Sequence, residues 1–173
     1  MTQQERLFEK LKTFDTFFND MAFAPDGNRP NCYEWFIFKV EPIDDINGCF
    51  SPLEQTIIIS PESIEYDNVI LHEMIHAYEF LLDELPVEHD VIYWTLYQDL
   101  KSKIHNIDDI ITKCVPLLID EHKELEGYHD VLFLLKSLDL DIRMLYPLGT
   151  VFSYGFTEVL KGFSYEAEGG RRS

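Results

Sequence analysis

The sequence predicts an α+β protein. Three observations carry that expectation. Apolar residues recur at helical spacing near the N-terminus, short aromatic and β-branched runs follow, and several helix-length periodic stretches fill the remainder. Strands do not alternate with helices, so a parallel α/β sheet is not indicated.

Each element has its own signal. Residues 5–24 place Leu7, Phe8, Leu11, Phe14, Phe18 and Met21 on one face of an amphipathic helix. Residues 24–31, APDGNRPN, are rich in turn formers and read as a loop. CYEWFIFKV, 32–40, reads as a strand. Asn47-Gly48 is a turn signal. The run 56–59, TIII, reads as a buried strand. A long helix is predicted over 67–85, ended by Leu85-Pro86 because the residue before proline avoids the helical region. Further helices are expected over 88–104, 107–125 with a kink or break at Pro116, and from HDVLFLLKSL to Pro147. TVFSYGF is a final strand or an ordered coil. The tail 166–173 is expected to fray, leaving residues 1–165 as a single domain.

Composition narrows the function. With 46% apolar and 14% aromatic residues in 173, the chain can bury a core. Its formal net charge of −18 opposes phosphate backbones, so direct nucleic-acid binding is not expected. No apolar run is long enough to cross a bilayer, and the N-terminus lacks a basic region followed by an apolar one. Cys32, Cys49 and Cys114 are widely spaced, which favours neither a zinc ribbon nor a disulfide framework and suits a cytoplasmic location.

The chemistry concentrates in VILHEMIHAYEF, residues 69–80. On a helix, Leu71, Ile75, Tyr78, Leu82 and Leu85 form an apolar stripe while His72, His76, Glu79 and Asp83 share the opposite face. Histidines at i and i+4 can direct their rings to one point, and neutral imidazole is a good zinc ligand. Glu73 lies about 100° round the helix from His72, the position of a general base rather than a ligand. A catalytic zinc needs a third protein ligand and an open position. The pattern HExxHxxGxxH is not met, because Glu79 and Leu82 occupy its Gly and last His positions. His89, just beyond the proline bend, is the foremost candidate, with Glu121, His122, Glu124 and His129 as alternatives. Tyr78, Tyr93 and His105 are conceivable donors to an oxyanion, with core packing the expected task of the tyrosines. Glu79 and Asp83 read as solvated.

ILHEMIHAYEF, the histidine after a short acidic connection, and the aromatic helix HDVIYWTLYQDL together resemble the SprT-like zinc metallopeptidases, the group that includes the Spartan proteases. The resemblance covers about residues 5–104; the helical part 105–165 matches nothing in that family. It implies a zincin-like fold and one Zn²⁺ per chain held by His72, His76 and His89. It also implies peptide-bond hydrolysis through a zinc-activated water with Glu73 as base, and a strand such as QTIIIS that pairs with an extended protein or peptide substrate. Asp90 stands where that family commonly has glycine, and no cysteine pairs supply its zinc ribbon. The alternative reading is an inactive or regulatory zinc-binding interaction protein with an acidic binding surface.

Overall fold

The structure, a computed structural model, describes residues 1–18, 37–44, 46–51, 53–82, 86–121, 129–167 and 170–172. The architecture is mixed, mostly helical with one small sheet, as an α+β chain should be. The chain groups into two compact units, Met1–His89 and Asp90–Ser173.

In the first unit, helix α1 spans Gln3–Asp15. Thr2 caps it: its hydroxyl accepts from Glu5 N while the Glu5 carboxylate accepts from Thr2 N. This reciprocal box is worth about 1 kcal/mol. Leu7, Leu11 and Phe14 are buried, as their spacing predicts, and a 3-10 turn, Thr16–Phe18, follows. The rest of that predicted helix, its loop and the start of the predicted strand lie outside the described residues.

Three strands follow: β1 (Ile37–Val40), β2 (Gly48–Ser51) and β3 (Thr56–Ile59). Their order is β1-β3-β2, with β1 parallel and β2 antiparallel to β3. The predicted run 56–59 is β3, but it is the central strand. The expectation that it pairs with a substrate is therefore corrected: its neighbours occupy both of its sides. One outer edge is closed locally. Gln4 of α1 donates to Phe38 O at 2.7 Å and accepts from Val40 N at 3.1 Å, satisfying β1 backbone groups that no described strand reaches. Among the described residues the sheet ends on its other side at β2.

Helix α2, Asp67–Leu82, carries the histidine motif. Asp67 opens it, where an acidic side chain complements the helix dipole. Lys10 of α1 holds that start through Asp67 and Ile64 O, each at 2.7 Å. The predicted apolar stripe is buried: Leu71, Ile75, Tyr78 and Leu82 are each at 0% exposure. The opposite face is not solvated as a simple amphipathic reading would have it, since His72 and Glu79 are buried too, as is Glu73 beside it.

Helix α3, Pro86–Lys103, crosses the residue at which the two units divide. The second unit continues with α4 (Ile107–Glu121) and α5 (Val131–Met144). Pro116 sits inside α4, which runs on past it, so the predicted break is absent. Asp130 caps α5 by accepting from Phe133 N at 2.8 Å, and Leu145, left-handed at φ 59°, ends it. Every residue of α5 from Leu132 to Ile142 is buried, including Lys136, Asp139 and Asp141. TVFSYGF forms turns leading into a short helix, α6 (Phe156–Val159). The tail expected to fray instead carries β4 (Tyr165–Ala167) paired antiparallel with β5 (Gly170–Arg172).

Candidate metal centre

The 3.6-residue period of α2 stacks His72 and His76 one turn apart. Their ring centroids are 5.1 Å apart with planes inclined at 73°, so the two imidazoles converge rather than splay. Strand β2 flanks them. Phe50 lies parallel to the His76 ring, centroids 6.3 Å apart and planes within 4°, and meets Phe80 edge-on at 5.8 Å. These rings fix the rotamers of the motif face by packing.

Glu73 is 7% exposed, and burial pushes its carboxyl up to about 8. The direction follows from desolvation, which penalises the charged form. A cation beside the carboxylate would oppose that penalty.

Within the first unit, His72 and His76 are thus two metal-ligating side chains brought together. Such a pair could supply two ligands to a metal ion. Imidazole is a donor that zinc accepts, so the residues present fit the group the motif implies. His129 is fully buried, one residue before the cap of α5. Phe133, Phe152 and Tyr154 surround its ring, with centroids at 4.7, 5.5 and 5.3 Å.

No family model, curated protein or solved structure matches the chain. What the site can do therefore rests on its own geometry.

His89, the third ligand the resemblance implies, sits in the first turns of α3, partly exposed. His129 was one of four alternatives in the sequence, where nothing in its spacing separates it from His122. Of the others, His122 and Glu124 lie outside the described residues, as does the side chain of Glu121. The Tyr78 ring stacks on Phe18 at 4.3 Å and its hydroxyl donates to Phe18 O, which is the packing role expected of it. His105 is exposed, 3.9 Å from Glu166. Tyr93 packs edge-on against Trp94. Glu79, expected to be solvated, is buried. The described cysteines are poor ligand candidates, since the thiolate is the coordinating form. Burial, with Glu73 second, raises Cys49, and burial pushes Cys114 up to about 11.

Proposed function

We propose that the chain is a zinc-dependent peptidase, with His72 and His76 as ligands, a further ligand from outside the motif helix, and Glu73 as general base. The observation that supports this reading above the others is a buried carboxylate one residue from a ligand histidine. A desolvated carboxylate destabilises a fold unless something uses it or neutralises it. A purely structural metal site has no use for one, which disfavours the reading as an inactive interaction protein. Bound zinc supplies Lewis-acid chemistry, polarising a carbonyl and making water nucleophilic near neutral pH.

The chain's own residues supply the rest. Glu73 takes a proton at its carboxylate and returns it to the departing amine. An extended peptide chain lies along β2, the strand that ends the described sheet beside the motif helix. β-Augmentation there would hold the substrate through its backbone, with little demand on its side chains.

The test is a paired measurement on purified protein. Metal analysis is expected to give one zinc per chain, and an unfolded casein-type substrate is expected to be cleaved. Glu73→Gln should keep the zinc while slowing hydrolysis by about 10²–10⁴-fold, the usual worth of a positioned base. A substoichiometric metal content, or a glutamine variant as fast as the parent, removes the proposal.

A further inference from the structure

Asn47-Gly48 reads in the sequence as a turn, yet Gly48 is not in a left-handed conformation. It is the first residue of β2, paired with Ile59. Its backbone would accept any residue, so glycine must answer a need for space. A Cβ built there would lie 3.1 Å from Cγ and 3.3 Å from Oε1 of Glu73, and 3.2 Å from Cδ1 of Ile59. The Ile59 contact is the free end of a side chain, which can rotate aside. Cγ of Glu73 is one bond from its Cβ, on a helix whose neighbouring residues Leu71, His72, Met74 and Ile75 are all buried. It has little room to retreat.

We propose that Gly48 is a positioning residue for Glu73: the missing side chain at the start of β2 is the space in which the carboxylate rests. The proposal rests on Glu73 acting as the base, and its test separates the two ideas. A methyl group at 48 forces Glu73 off its position, and small displacements of a catalytic group are costly to turnover. The same methyl group leaves the ligand histidines and the strand pairing in place.

The experiment is a double-mutant cycle read by thermal unfolding of the whole chain. Gly48→Ala should lower the midpoint by roughly 3–9 °C in the parent, as overpacking does in a chain of this size. It should do the same beside Glu73→Gln, which keeps Cγ and the shape of the head group. Beside Glu73→Ala the shift should fall to about 1 °C, because the clashing atoms are gone. If Gly48→Ala alone fails to fold, Glu73→Ala should restore folding. In the peptidase assay Gly48→Ala should lower kcat about tenfold or more at unchanged KM and zinc content. An equal midpoint loss in all three backgrounds overturns the proposal, and so does an unchanged kcat in an active parent. A parent without turnover removes the peptidase reading, and the unfolding cycle still decides whether Gly48 sets the place of Glu73.

Discussion

The choice between two histidines decides which chemistry the motif helix can support. His129 is fully buried among three aromatic rings, whereas His89 is partly exposed on α3. A buried imidazole held on several sides loses little entropy on coordinating, so it should contribute most of the affinity beyond the motif pair. His129→Ala is expected to weaken zinc binding by more than the 10–100-fold that loss of an outer-shell partner costs. His89→Ala should leave it unchanged. Competition with a chromophoric chelator measures both, and the reverse result would restore the ligand set that the SprT-like resemblance implies. The sequence puts His89 first, because it lies just past the proline bend. The i,i+4 pair is legible because a helix enforces it locally, while the third ligand depends on chain folding that local spacing does not encode.

At the scale of elements, legibility follows how much each one owes to its own residues. Strand β3 has three consecutive isoleucines and is predicted to the residue. Strand β2 is Gly-Cys-Phe-Ser, with one strong strand former, and exists because β3 offers it a partner. The glycine that looked like a turn is there for the approach of Glu73. Helix α5 is legible as a helix, but its buried charges are not. Asp141 accepts from Gly149 N at 2.8 Å and from Val151 N at 2.9 Å, pinning the turn that leads to Phe152 and Tyr154 beside His129. Asp141→Ala would strand both buried N–H groups at about 1–3 kcal/mol each, so denaturant unfolding should show a loss of about 2 kcal/mol or more. Asp141→Asn keeps one acceptor and should lose less. The pH dependence has a definite sign. Burial outweighs the two N–H bonds and holds the Asp141 carboxyl well above its ordinary value. The native chain therefore keeps a proton that the unfolded chain releases above about pH 4. Stability from this group is full below that pH and falls as pH rises through the raised native value. The deficit of Asp141→Asn should therefore be largest near pH 4 and shrink toward neutrality. A deficit that grows with pH would contradict the assignment.

For the whole molecule the dominant fact is charge: 32 acidic against 14 basic side chains. Several carboxylates are buried besides, and Asp139 is one with cations at hand. Burial alone would raise its carboxyl, but Lys136 and Arg143 at 2.9 and 3.1 Å hold it below the ordinary range. The rest of the excess repels itself, which opposes a compact state at low salt. Zinc meets the same field with the opposite sign, since a dication is drawn toward an acidic protein before it reaches any ligand. Added salt screens both effects, with a Debye length that falls from about 30 Å at 0.01 M to about 3 Å at 1 M. Sodium chloride should therefore raise the unfolding midpoint of the metal-free protein while slowing its uptake of zinc, followed by stopped flow against a fluorescent chelator. Final zinc affinity should weaken far less once 0.15 M is passed, because a buried imidazole site is itself little screened. If salt slowed uptake and destabilised the fold together, the cause would be ion binding at the site rather than screening of the molecule's field, and the charge would be no more than a device for solubility.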